Sequence, residues 1–137
     1  MNSLDEFLAD VLPRQEYEAR AMLNGDPEPR LRIWSHSEPV TLFGAAGAAG
    51  TASGWPKVSD TFRWVASRFA NCSLYEFELV AAGISGDLGY TVGFERLVVS
   101  IDGNPIAPRT IRVTHVYRRE NGDWKIVHRH GDSLLDG

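Results

Sequence analysis

The stretch Thr114-His115-Val116-Tyr117-Arg118-Arg119-Glu120-Asn121-Gly122-Asp123-Trp124-Lys125-Ile126-Val127-His128-Arg129-His130 carries the reading of the fold. Asn121-Gly122 separates two runs of alternating side chains, which is the strongest short-range signal for a hairpin closed by a two-residue type I′ turn. With those residues as the loop, Glu120 faces Asp123, Arg119 faces Trp124, Tyr117 faces Ile126, His115 faces His128 and Val113 faces His130. Alternation then puts Val113, His115, Tyr117, Trp124, Ile126, His128 and His130 on one face. Arg112, Thr114, Val116, Arg118, Lys125, Val127 and Arg129 take the other. The first face is the more aromatic and is expected to lie under helices.

In this register His115 and His128 are direct neighbours, with Cβ atoms ~4.5–5.5 Å apart. Two imidazoles so close among aromatic rings do not both charge easily, so at least one is expected to titrate below the free value of ~6.5. Lining a pocket beside Tyr117, acid–base work and simple core packing all remain open for the pair. His130 adds a third imidazole. Asp132 is the one obvious carboxylate nearby, and the spacing assigns no metal.

Upstream of the hairpin the pattern is helices first, then strands. Ser3-Leu4-Asp5-Glu6 reads as a capping box, and Leu4, Phe7, Leu8, Val11 and Leu12 follow at helical spacing. Pro13 is expected to break or kink that helix and to start a second one over Arg14 to Leu23, closed by Asn24-Gly25. Asp26 is the expected N-cap of a short helix holding Leu31, Ile33 and Trp34. Val40 to Phe43 reads as a strand. Gly44 to Gly54 is almost wholly small residues and reads as a mobile loop, without the Gly-Lys-Ser/Thr ending of a phosphate-binding loop. Trp55-Pro56 opens a helix carrying Val58, Phe62, Val65, Ala66 and Phe69, ended by Asn71. Ser73 to Leu79 alternates as a half-buried strand, and so does Tyr90 to Glu95, with Tyr90, Val92 and Phe94 on one side. This order gives an α+β class with helices on one face of an antiparallel sheet.

The 137 residues suit one domain with a single core. A net charge of −4 supplies no basic field for nucleic acid or anionic lipid, so neither is expected as a partner. Cys72 is the one cysteine and reads as a buried spectator. Met1 to Glu6 has no basic segment of the kind that opens a signal peptide, and no apolar run approaches ~18 residues. A cytoplasmic location is expected.

The hairpin is similar to the terminal hairpin of SnoaL-like proteins of the nuclear transport factor 2-like superfamily, and to the association domain of calcium/calmodulin-dependent protein kinase II. The shared elements are Thr114-x-Val116-Tyr117 and Gly122-x-Trp124-x-x-Val127-His128-x-His130. Weaker support comes from Asn24-Gly25-Asp26, Trp34, Val40 to Gly44 and Gly54-Trp55. The resemblance covers roughly residues 14 to 133 and leaves 1–13 as an extra N-terminal helix within a single 1–137 domain.

It implies a cystatin-like cone, in which a curved antiparallel sheet wraps around helices and encloses a cavity, often with a homodimer formed through the outer sheet face. It also implies a pocket position at His115, where the kinase association domain carries an arginine. Val92 and Gly131 fall at the other arginine positions, so an arginine cluster holding an anion is not expected. The expected ligand-binding set is Trp34, Tyr90, Val92, His115, Tyr117, His128 and His130, with no cofactor and no metal. Three functions stay open. One is a small-molecule-binding domain. Another is a lyase or isomerase (a cyclase, dehydratase or ketosteroid-isomerase-like enzyme) with His115 or His128 as acid–base residue and Tyr117 or Tyr90 as donor to an oxyanion. The last is a dimeric assembly module.

Overall fold

In the computed structural model, which describes residues 3–134, Asn121 and Gly122 hold φ of 52° and 85°. This is the left-handed pair that a type I′ turn requires, and glycine at the second position adopts it without strain. The turn joins β5 (Ala107–Glu120) to β6 (Asp123–Ser133), and Glu120 pairs with Asp123.

Ahead of the hairpin come α1 (Ser3–Met22), α2 (Glu28–Ile33), β1 (Thr41–Phe43), a 3-10 turn (Gly47–Gly50), β2 (Thr51–Ser53), α3 (Trp55–Ser67), β3 (Phe69–Ser85) and β4 (Leu88–Ile101). The strands form one six-stranded sheet in the order β2-β1-β6-β5-β4-β3. Every pairing is antiparallel except β1 with β6. The register shifts twice along β3–β4 and once along β5–β6. Such bulges bend and coil a sheet, and this one curves around the helices. The α+β cone expected from the hairpin is therefore the fold.

The third shift corrects the expected face. Tyr117 pairs with Ile126, but Val116 pairs with His128, so Val127 is an extra residue in β6. Beyond it the alternation inverts. His115 faces Arg129, not His128, and Val113 faces Gly131, not His130. Arg129 and Gly131 thus join His115 and Tyr117 on the concave side, while His128 and His130 turn to the convex side beside Phe43. A period of two cannot bury both Ile126 and Arg129, and one inserted residue resolves the conflict.

On β4 the expected face is also reversed. Thr91, Gly93, Glu95, Leu97 and Val99 are buried, whereas Tyr90 is 45% exposed and Val92 and Phe94 are half-buried on the outside. Room under α1 is the reason. A Cβ at Gly89 would lie 3.1 Å from the Phe7 ring, so the helix seats on the strand where no side chain stands.

Four local expectations also change. Pro13 sits inside an unbroken α1, because Phe7, Val11, Gln15, Ala19 and Met22 keep one buried stripe across it. The expected break there does not occur, and Phe7 and Val11 belong to the main core with Trp34, Phe62, Tyr117 and Trp124. The Gly-Ala segment is a turn and a short strand, with Gly44 donating to the Gly50 carbonyl at 2.9 Å. Phe69 opens β3 instead of closing α3. The N-cap of α2 is Pro27 and not the expected Asp26, whose carboxylate accepts from the Glu28 N–H at 3.1 Å from one position ahead of the cap.

Candidate functional site

The open end of the cone holds a cavity of about 170 Å³. Met22 and Leu23 of α1, Phe62 of α3, Leu42 of β1, Leu97 of β4 and Ile111 of β5 give it apolar walls. Its polar part comes from Tyr75, Glu95, Ser133 and four arginines, Arg30, Arg68, Arg109 and Arg129, a cluster the sequence reading did not expect, and the small residues Gly44 to Ala46 lie along its edge. A cavity near 150 Å³ accommodates benzene, so this one fits a single-ring molecule.

Tyr75, Glu95, Arg30 and Arg129 belong to a buried network. Gln15 donates to the Tyr75 hydroxyl at 3.0 Å, and Tyr75 donates to Glu95 Oε2 at 2.7 Å. Arg129 grips Glu95 with both terminal nitrogens, Nη2 to Oε1 at 2.8 Å and Nη1 to Oε2 at 3.3 Å. Arg30 donates to Glu18 and lies 5.3 Å from the Phe62 ring centre. All four charged groups are almost wholly enclosed. An unpaired charge in such a place would cost several kcal/mol, and each of these has an opposite partner.

Burial would raise the Glu95 carboxyl, but the charge and hydrogen bonds of Arg129 overcome it and hold the group at about 2. Burial raises Glu18 above the usual carboxylate range even with Arg30 beside it. Burial and the nearby Glu95 charge keep the Tyr75 phenol neutral, well above 10. His115 is lowered well below 6.5, first by burial and then by the charge of Arg129.

The position of Arg129 also settles the His115 tautomer. Its Nη1 lies 3.1 Å from His115 Nε2, and a guanidinium only donates, so Nε2 accepts. The ring proton therefore sits on Nδ1, which faces the Tyr117 hydroxyl at 3.5 Å.

The residues expected from sequence fall in three places. His115 and Tyr117 point inward but lie in the core, 1% and 2% exposed, and not on the cavity wall. Trp34 is a core ring stacked edge-on to Phe62. Tyr90, Val92, His128 and His130 are on the outer face, where Val92 and His130 border a shallow groove with Phe94 and Asp132. His128 is lowered by partial burial, and its Nδ1 is 2.8 Å from the Thr41 hydroxyl. The structure does not bring His115 and His128 together. No group of three or more metal-ligating side chains occurs among the described residues.

Sequence reading missed Glu18, Arg30, Tyr75, Glu95 and Arg129. One signal was available on β4, since Leu97 and Val99 share the parity of Glu95. For Arg129 there was none, because its side depends on the bulge at Val127.

Fold and site together define a cone protein with a small cavity at its open end and a charge-paired floor. Residues 19–135 match the SnoaL-like domain family, and the chain belongs to it. Solved structures show the same fold at low identity. A candidate dehydratase of the nuclear transport factor 2-like family from Streptomyces avermitilis is 20% identical, with 96% of this chain and 99% of that chain aligned and a TM-score of 0.71. A protein of unknown function from Pseudomonas putida is 16% identical over 96% and 89% of the two chains, with a TM-score of 0.76. A candidate calcium/calmodulin-dependent protein kinase II association domain from Thiobacillus denitrificans is 23% identical over 88% of each chain, with a TM-score of 0.68. No curated protein matches the chain.

Proposed function

We propose that the protein binds one small, largely apolar molecule in the inner cavity and performs no histidine acid–base step there. The observation that carries this reading is the cavity of about 170 Å³, with apolar walls and an ion-paired floor. Glu95 stays ionised and Tyr75 stays neutral across the physiological range, and guanidinium groups do not deprotonate in proteins. A proton-transfer site needs a group that changes charge near the working pH, and the wall offers none. An isomerase- or dehydratase-type reaction in this cavity would have to use Glu95 or Tyr75, since His115 lies behind Arg129 and His128 lies outside.

Thermal melts with saturating single-ring aromatics test the reading, with Leu97→Trp as the filled-cavity control. A ligand at tenfold its Kd stabilises the native state by about 1.4 kcal/mol, so the wild type should melt several degrees higher and the variant should not. Equal response of both proteins, or none from the wild type, would refute it.

A second reading concerns the outer face. Val80, Leu88 and Tyr90 are 59%, 53% and 45% exposed there, beside the half-buried Val92, Phe94 and Val116. We infer that a second copy of the chain covers this apolar row, as a homodimer. The assembly-module reading would rest on the same face.

A further inference from the structure

We propose that the unoccupied edge of the Arg129 guanidinium is the polar end of the ligand site, and that it receives a neutral carbonyl oxygen. The ligand class is then a single-ring carbonyl compound, such as an aryl ketone. This inference rests on the cavity-binding reading above.

A guanidinium has five N–H groups in a fixed plane. Glu95 and His115 take both of those on Nη1, and Glu95 takes one on Nη2. Two remain, the Nε–H and the second Nη2–H. They lie side by side and nearly parallel, as the fork that matches an oxygen acceptor. No described residue accepts from Nε.

The space in front of this edge is kept open by the sequence. Gly131 stands on β6 between Arg129 and Ser133, both of which line the cavity. A Cβ at Gly131 would lie 3.3 Å from the Ile111 Cγ2 methyl and in contact with Nη2 and Nε at 3.5 and 3.7 Å, so a side chain there would rest against the fork where an acceptor oxygen would stand. Its φ is not in the left-handed region, so the turn geometry does not demand glycine here. His115 and Glu95 fix the guanidinium from its other sides, which aims the free edge.

Charge decides between a carbonyl and a carboxylate. Glu18 and Glu95 balance Arg30 and Arg129 within one buried cluster. Arg68 is already paired with Asp102 and Arg109 is exposed at the rim, so a carboxylate on the Arg129 edge would add a negative charge beside Glu95 within a cluster that is already balanced. A ketone oxygen accepts the same charge-assisted hydrogen bonds and adds no charge. Its ring would lie against Leu42, Phe62, Leu97 and Ile111.

The test compares acetophenone, ethylbenzene of similar shape, and benzoate, by calorimetry and by the Arg129 Nε–H resonance. Acetophenone should bind about tenfold or more tightly than ethylbenzene, the gain expected from a hydrogen bond to a charged donor, and tighter than benzoate. Only acetophenone should move the Nε–H signal strongly. Gly131→Ala keeps every charge and should bring acetophenone down to the ethylbenzene affinity, with ethylbenzene changed less than about threefold. Equal affinities with an unmoved Nε–H would overturn the carbonyl site and leave the cavity reading standing. Tightest binding by benzoate would overturn the neutral class and point to an anion site near Arg109 at the rim. Failure of all three probes would defeat the cavity reading, and this inference with it.

Discussion

His115 gives its Nε2 lone pair to Arg129, and protonating the ring would set two cations against each other in a sealed space. Its native pKa lies well below the 6.5 of the unfolded chain, and His128 is shifted in the same direction. Below pH 6.5 the unfolded chain therefore binds protons that the native chain does not, and stability falls as pH drops. Each such histidine contributes a slope of up to ~1.4 kcal/mol per pH unit, until its native pKa is reached. Chemical denaturation between pH 7.5 and 4.5 should show this decline, and His115→Gln, which keeps an acceptor for Arg129, should flatten it. A flat wild-type profile would contradict the buried neutral ring. Glu95 is lowered to about 2, so its contribution is present above the unfolded value of 4.5 and disappears as pH falls from there toward 2. Glu95→Gln leaves the Arg129 charge buried without its partner and should cost about 3–5 kcal/mol in the same measurement at neutral pH. A loss below 1 kcal/mol would show that water reaches the pair.

At the scale of elements, α1 and β6 carry the architecture through one contact cluster. Phe7 meets Trp124 edge-on at 4.8 Å and Tyr117 at 5.2 Å, which fastens the start of β6 beneath the helix. Trp124→Ala should cost about 3–5 kcal/mol in a denaturant titration, and an unchanged midpoint would place Trp124 outside the core. Pro13 is exposed within α1 and supplies no N–H to the helix ladder. Pro13→Ala should raise stability by about 1 kcal/mol or more, and a loss would mean that the proline shapes the bend needed to reach Trp124. These elements were legible because their signals are local. The Asn121-Gly122 turn, the apolar stripe of α1 and the Tyr75 face of β3 each follow from neighbouring residues. The side on which Arg129 lies was not legible, because Val127 shifts the register in answer to a tertiary demand, the pairing of Arg129 with Glu95 across the sheet. The reversal of Tyr90 and Val92 has a similar origin, since only the packed helix shows that β4 needs Gly89 beneath Phe7.

For the whole molecule, the sheet divides two roles. Its concave side holds the cavity, and its convex side bears the exposed apolar row from Val80 to Tyr90. Light scattering at micromolar concentration should give twice the 15.2 kDa chain mass, and Tyr90→Asp should return it to the monomer without lowering the cavity's affinity for ligand. A wild-type monomer would remove the dimer reading and leave the cavity untouched. The cone could be foreseen from the family resemblance of the hairpin, but the residues that line the cavity could not. The resemblance placed Val92 and Gly131 as pocket positions; Gly131 does lie on the concave side beside Arg129, but Val92 lies on the outer face, and the polar floor comes from Glu95 and Arg129. The central claim is that this inner cavity is the binding site, and methyl NMR of Leu42, Leu97 and Ile111 during titration with a single-ring aromatic tests it most directly. Saturable shifts of those methyl groups, with the outer-face Val80 and Val92 signals unmoved, are the expected result. Shifts confined to Val80 and Val92, or inner methyl groups that never respond, would contradict it.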